Sequence, residues 1–337
     1  MRDITSRFVL AQLEDAGVLP LAEKILAKSE LTLNEAQQLA SVTLPLLGKL
    51  VELKCDPPAL NPKQFVHRVI CLPAAALLEE HGYADALAAA RCWLDTRLIQ
   101  PPAFQRLYLA VDRWRGTFSA LEMLELLKKA VASDRWASMI LLGPSSDIIR
   151  IWLEETNRTN NLDLSSLLVQ LREAGIVALE GGSDLGIHRA AADAGLMIAV
   201  SQVVTDSTTF LSAIFCAREM LAHTGRFTAW YPELSGPLDG SSLADGEASG
   251  LEVMRAIALA RLVLPVEVTI RAPLVSMGEK MARVALDFGA ADLGFMGADA
   301  ESAALLKIPD PNDLADLFEN CETPLISIDK KSQSIKP

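Results

Sequence analysis

Apolar positions recur along this chain with two different periods. Short, nearly continuous apolar runs fall at 64–72 (QFVHRVICL), 106–111 (RLYLAV), 138–143 (SMILLG) and 176–182 (IVALEGG). Four more fall at 197–204 (MIAVSQVV), 226–232 (RFTAWYP), 266–274 (VEVTIRAPL) and 291–297 (ADLGFMG). Each is of strand length and rich in β-branched or aromatic residues, so each predicts a strand. The stretches between them, about 74–98, 118–133, 146–173, 185–194, 207–224, 249–264 and 278–288, carry helical spacing. Eight strands alternating with helices predict a parallel sheet. Right-handed crossovers close such a sheet into a (β/α)8 TIM-type barrel. A doubly wound open sheet is the rival architecture.

Residues 1–54 predict a helical extension ahead of the barrel. LPLAEKILAKSE has helical apolar spacing, and Thr32 followed by Glu35 is a capping box that starts a helix running from Asn34 towards Val51. CDPPALNP, at 55–62, breaks the pattern and reads as a linker. The barrel then spans 55–300, and 301–337 form a C-terminal extension with a polar tail.

Composition narrows the function. The net charge is −12, which argues against nucleic-acid or anionic-membrane partners. The N-terminus lacks the apolar core of a signal peptide, and no run of 18 uncharged apolar residues predicts a membrane span. The five cysteines, Cys55, Cys71, Cys92, Cys216 and Cys321, are scattered and odd in number. They read as reduced thiols of a cytoplasmic protein, with Cys71 and Cys216 as small core residues in apolar runs. The four histidines show no metal-binding spacing, and no nucleophile elbow or phosphate-binding loop is present.

In a (β/α)8 barrel the site lies at the C-terminal ends of the strands. After strand four come Glu180, Gly181, Gly182, Ser183 and Asp184, whose glycines permit close backbone approach to a ligand. The bland alternative is a helix-capping turn. After strand five, either Ser201 or Gln202 must face inward, because strand side chains alternate. Thr205, Asp206 and Ser207 read as a cap. Trp230, Tyr231 and Glu233 end strand six, where rings stack on a planar ligand or close the core. Arg271 in strand seven offers an anion clamp, or pairs with a protein carboxylate such as Glu180 or Glu267. Arg68 in strand one poses the same question, and only one of His67 and Arg68 faces inward. Asp112 and Arg113 read as a surface pair, and 236–250 as a loop able to act as a lid.

Several segments together resemble one family. LAEKILAKSELTLNEAQQL is similar to the helical opening of the radical S-adenosylmethionine (SAM) enzymes of menaquinone biosynthesis, aminofutalosine synthase and dehypoxanthine futalosine cyclase. The deazaflavin-cofactor synthases are relatives of these. LSSLLVQLREAGIVALEGGSD resembles the segment leading to that family's Gly-rich PGGGAE loop, and AREMLAHTGRFTAWYPE its TGGF segment. GLEVMRAIALARLVLP and MGEKMARVALDFGAADLG resemble its last two helical segments. The resemblance implies a radical SAM barrel, and the departures fall on its chemistry. The family's cluster cysteines follow strand one, where only Cys71 stands. Its Gly-Gly pair, which holds the SAM amino group, falls at VDRWRGTFS, which has none. Asp184 stands for the acid of PGGGAE, and Arg226 for the second glycine of TGGF.

An iron–sulfur cluster needs thiolates converging on one loop, and the nearest pair here, Cys55 and Cys71, is sixteen residues apart. The expectation is therefore a cluster-free barrel with no 4Fe–4S cofactor, SAM binding being left open. It would hold a small polar metabolite, a nucleoside or aromatic acid of the menaquinone type, with Arg68, Glu180 to Asp184, Ser201, Gln202, Trp230, Tyr231 and Arg271 as ligand contacts. It would act as a binding protein or as the inactive partner of an active homologue, in a homo- or hetero-oligomer. The alternative is an enzyme using acid–base chemistry in the inherited cavity, with Glu180 or Asp184 as base.

Overall fold

Each apolar run becomes a parallel strand. In the computed structural model these are β1 (Phe65–Leu72), β2 (Tyr108–Val111), β3 (Ile140–Gly143), β4 (Ile176–Glu180), β5 (Met197–Val203), β6 (Phe227–Glu233), β7 (Thr269–Ile270) and β8 (Asp292–Gly297). The structure describes residues 7–55, 65–97, 108–112, 114, 120–132, 139–157, 163–204, 207–233 and 248–309. The expected linker, Arg113, Thr205, Asp206, most of the 236–250 loop, Cys321 and the tail lie outside these residues. The strands follow one another in a single sheet, β1 to β7 in order, with β8 on the other side of β1. A parallel bridge between Arg271 and Asp292 joins the two ends of that order. The order never reverses, as it would in a doubly wound sheet, so the fold is a (β/α)8 barrel.

The chain divides into two compact units, one of residues 1–64 with 201–293, the other of residues 65–200 with 294–337. The first unit begins with α1 (Arg7–Asp15), α2 (Leu19–Leu26), α3 (Leu33–Ala40) and α4 (Leu44–Lys54). The expected single helix from Asn34 to Val51 is two helices. It breaks before Thr43, and Pro45 occupies the first turn of α4, where its missing N–H costs nothing. The capping box forms as expected: Glu35 N donates to Thr32 Oγ1, and Thr32 N to Glu35 Oε2. The Lys24 ammonium, 2.8 Å away, holds the Glu35 carboxyl down at about 2.

These helices cover α10 (Ser207–Thr224) and α11 (Gly250–Val263). Residues Val253 to Val263 of α11 are almost all buried, so this helix needs cover on every side. Cations fasten the cover to carbonyls: Arg218 to Leu31, Arg255 to Ala40 and Val42, and Lys54 to Leu262 and Leu264. Cys216 faces outward on α10 and is exposed, which corrects the core assignment. Ile214 and Ala217 take the buried face, three residues apart as a helix requires.

Strand seven is much shorter than 266–274. Val268 N turns back to Pro265 O, and Pro273, which has no N–H, precedes α12 (Leu274–Asp287). In the second unit β1 leads into α5 (Ala74–Arg97), bent at Gly82 where φ is +66°. α6 (Ala120–Ala130) follows β2, and α9 (Leu185–Asp193) follows β4. The expected helix 146–173 is α7 (Ser146–Asn157) and α8 (Leu164–Glu173), because Asp163 caps a new start by accepting from Ser166 N. α13 (Ala300–Leu306) closes the described chain. Among the described residues no helix is long and apolar enough to cross a membrane.

Candidate functional site

Small residues on one face of the strands leave space in the second unit. Val69, Ala110, Leu142 and Ala178 share an inner cluster with Tyr108 and Phe295 packed on it. Two alanines among the four cannot fill the layer, and a cavity of about 620 Å³ opens above it. It lies at the C-terminal ends of β2 and β3, lined by Val111 and Gly143, the last residues of those strands. Trp114, Pro144, Ser145 and Ile148 continue the wall, and Leu306 and Ile308 complete it. The rings are held in place. Trp114 meets Trp152 of α7 edge-on at 5.7 Å, and Trp152 Nε1 donates to Trp114 O at 2.9 Å. Phe295 packs against His67 at 5.4 Å and Tyr108 at 5.5 Å. Glu180 follows Ala178 on the same strand face and lines the cavity.

This packing resolves the question at strand one. His67 shares the face of Val69, packing with Tyr108 and Phe295, so Arg68 lies on the opposite face. Burial there pushes the Arg68 guanidinium down from its ordinary range. Asp112 is 3% exposed and accepts from Ala75 N at the start of α5. That corrects the surface-pair reading: the carboxylate caps a helix whose first N–H groups need an acceptor.

The turn after β4 is firmly occupied by protein. Gly181 and Gly182 have φ of +89° and +85°. A Cβ on Gly182 would stand 2.2 Å from Ser146 Oγ. That hydroxyl accepts from Asp184 N at 3.1 Å, and Ser146 N donates to Gly181 O. Asp184 caps α9 by accepting from Gly186 N and Ile187 N. His188 Nε2 lies 3.1 Å from Gly181 O, so this nitrogen donates. Burial pushes the imidazole below its ordinary value and keeps it neutral. Of this turn, Glu180 faces the cavity, while Gly182 and Asp184 serve the local fold.

The remaining sequence candidates lie in the first unit and form two sets. Gln202 Nε2 donates to Phe210 O, and Trp230 Nε1 donates to Gln202 Oε1 at 3.3 Å. Trp230 is fully buried against Phe210 of α10, so both residues face the helices. Ser201 is therefore on the other strand face, where its Oγ donates to Glu233 Oε2 at 2.9 Å. Arg271 Nε donates to Asp292 Oδ2 at 3.1 Å, with both side chains buried. The guanidinium lies 5.3 Å from the Tyr231 ring centre. Arg271 thus has a protein carboxylate, Asp292, as a counter-ion. Sequence reasoning missed Trp114, Phe295 and Asp292. Trp114 belongs to no periodic pattern, but a tryptophan just past the end of a barrel strand was a usable signal.

Among the described residues the four cysteines do not gather into the cluster-binding set that the resemblance implies. Only Pro73 separates β1 from α5, leaving no loop on which thiolates could converge. The Cys71 thiol is buried within the strand, and desolvation, reinforced by Asp112, drives it upward and keeps it protonated. Cys92 is exposed on α5, and among the described residues no three His, Cys, Asp or Glu side chains gather as a metal site. Where the resemblance places the Gly-Gly pair, Trp114 forms the cavity wall.

No family model matches the chain. It is 40% identical over 91 residues to 5-amino-6-(D-ribitylamino)uracil–L-tyrosine 4-hydroxyphenyl transferase 2 of Methanosarcina mazei, covering 25% of this chain and 24% of that protein. The Methanosarcina barkeri protein of the same name is 38% identical over 91 residues, with the same coverage. The chain thus spans about a quarter of the length of these curated relatives. Its fold is similar to that of methylornithine synthase, with a TM-score of 0.51 and 15% identity over 81% of this chain and 85% of that one. It is also similar to a maturase of the FeFe-hydrogenase, with a TM-score of 0.58 and 11% identity over 94% of this chain and 78% of that one. The maturase from Carboxydothermus hydrogenoformans gives a TM-score of 0.53 and 12% identity over 86% and 75% of the two chains. These likenesses are to the fold, a (β/α)8 barrel.

Proposed function

We propose that this chain is a radical SAM-type barrel that holds a small ring-bearing metabolite without carrying a cluster. The observation that supports this most directly is the cavity of the second unit, with aromatic walls from Trp114 and Phe295 and a carboxylate from Glu180. Concave, largely apolar pockets with a few polar groups are where small molecules bind. The cluster-free part rests on the single residue between β1 and α5 and on the described cysteines, which do not gather as a metal site. The curated relatives are named as 4-hydroxyphenyl transferases acting on 5-amino-6-(D-ribitylamino)uracil and L-tyrosine, two ring compounds. The ligand is a nucleoside or an aromatic acid, including those of menaquinone biosynthesis. The protein then acts as a metabolite-binding protein or as the inactive partner of an active homologue.

Native mass spectrometry of the purified chain tests the proposal. The expected result is a stoichiometric small-molecule adduct that Ala110→Phe removes, because the new ring fills the cavity. Retention of the adduct in folded Ala110→Phe would place the ligand elsewhere. A wild-type chain without adduct that also binds no ring compound overturns the reading.

A further inference from the structure

We infer that Leu306 to Pro309, the end of α13 and the residues just after it, form a gate that opens to admit the cavity's ligand and closes over it, with Lys307 as the hinge. This rests on the reading that the cavity is a ligand site. Leu306 and Ile308 both line the cavity and pack on the inner cluster of Val69, Ala110, Leu142 and Ala178. The attachment of α13 changes along its length. Its first half is pinned: Cys71 N donates to the buried Ser302 Oγ at 3.0 Å, and Arg97 holds Asp299 at 3.3 Å and pairs with Glu301. A Cβ on Gly297 would stand 2.7 Å from the Ala303 Cβ, so helix and strand end touch there. Beyond Ala303 the burial falls away. Ala304 and Lys307 are exposed, and Leu305, Leu306, Ile308 and Pro309 are half-buried. Stretches with few buried contacts lie at the low-stability end of a fold and open locally.

The turn at Lys307 gives that opening a pivot. Ile308 N donates to Ala303 O, and Lys307 N to Ala304 O. This pattern ends a helix on one residue in the left-handed region, where glycine is usual. Here that residue is Lys307, with φ of +53° and ψ of +44°, and its Cβ makes the conformation unfavourable. The turn carries Ile308 back to the cavity, and Gly297 N donates to Pro309 O at 3.0 Å. The closed gate thus sets the strain at Lys307 against the apolar contacts of Leu306 and Ile308. A ring in the cavity adds contacts to those two side chains and shifts the balance towards closure.

Hydrogen exchange of the full chain, resolved by NMR at the amides of Gly297 and Ala298, tests the gate. Gly297 N is bonded to Pro309 O of the gate and Ala298 N to Val69 O of β1, so neighbouring amides report gate and barrel separately. Gly297 is expected to exchange at least about tenfold faster than Ala298, relative to their intrinsic rates. Indole, a neutral planar probe whose affinity is first measured by calorimetry, should slow Gly297 about elevenfold at about ten times its dissociation constant, because the closed state alone retains it. Lys307→Gly should slow Gly297 about fivefold by relieving the hinge. Equal exchange of the two amides while indole binds overturns the gate and leaves the cavity as a ligand site. So does Gly297 exchange that bound indole does not slow. An unchanged rate in Lys307→Gly overturns the hinge. Absence of indole binding overturns both the gate and the ligand-site reading.

Discussion

Breaking the Arg271–Asp292 pair should destabilise the protein far more than removing both charges. The guanidinium and carboxylate lie 3.1 Å apart, with side chains 7% and 3% exposed. At that distance and an effective dielectric of about 20, their attraction is about 5 kcal/mol. Most of this offsets the desolvation of two ions, so the intact pair contributes little net stability. Removing one partner leaves the other buried and uncompensated, at about 3–5 kcal/mol. Arg271→Met and Asp292→Leu are each expected to lower the unfolding free energy by that amount. Arg271→Met/Asp292→Leu should recover to within about 2 kcal/mol of wild type. Denaturant unfolding followed by circular dichroism, arranged as a double-mutant cycle, reads the coupling directly. Single variants costing under about 1 kcal/mol, or costs that simply add, would refute the assignment of Arg271 as a structural cation.

Two other predictions concern the turn after β4. Gly182→Ala places a Cβ 2.2 Å from Ser146 Oγ at a φ of +85°; the combined strain and overlap should cost about 2–4 kcal/mol. Adding Ser146→Gly should restore part of that, because Ser146 N still stands 2.8 Å from the new Cβ; equal stability of Gly182→Ala and wild type in thermal unfolding would contradict the packing. His188 has its pKa lowered by burial, so below about pH 6.5 the unfolded chain takes up a proton that the folded chain resists. Its contribution is complete above that pH and is lost as pH falls. The pH dependence of stability between 7 and about 5 should therefore flatten in His188→Gln, and identical slopes would exclude the buried neutral imidazole.

The architecture was legible because eight apolar runs and the helical stretches between them follow their own periods. Thr32 and Glu35 could be read as a capping box because its partners are three residues apart. The departures have equally local causes. Pro265 and Pro273 confine strand seven, Pro45 restarts a helix, and Asp163 splits another. The site was harder to read. Gly181-Gly182 marked a turn, but the reason for Gly182 is the Ser146 hydroxyl on a distant helix, which no local pattern reveals. Trp230 and Gln202 were correctly placed near a strand end, yet the strand face decides their role, and both face α10. Asp112 looked like a surface residue beside Arg113 because its partner, Ala75 N, belongs to another helix.

The claim on which the account turns is that this barrel works without an iron–sulfur cluster. Anaerobic purification and reconstitution with iron and sulfide, followed by iron and acid-labile sulfide determination, test it most directly. The account predicts substoichiometric iron and no charge-transfer absorption from thiolate-bound iron. About four irons and four sulfides per chain, lost on Cys71→Ala, would contradict it.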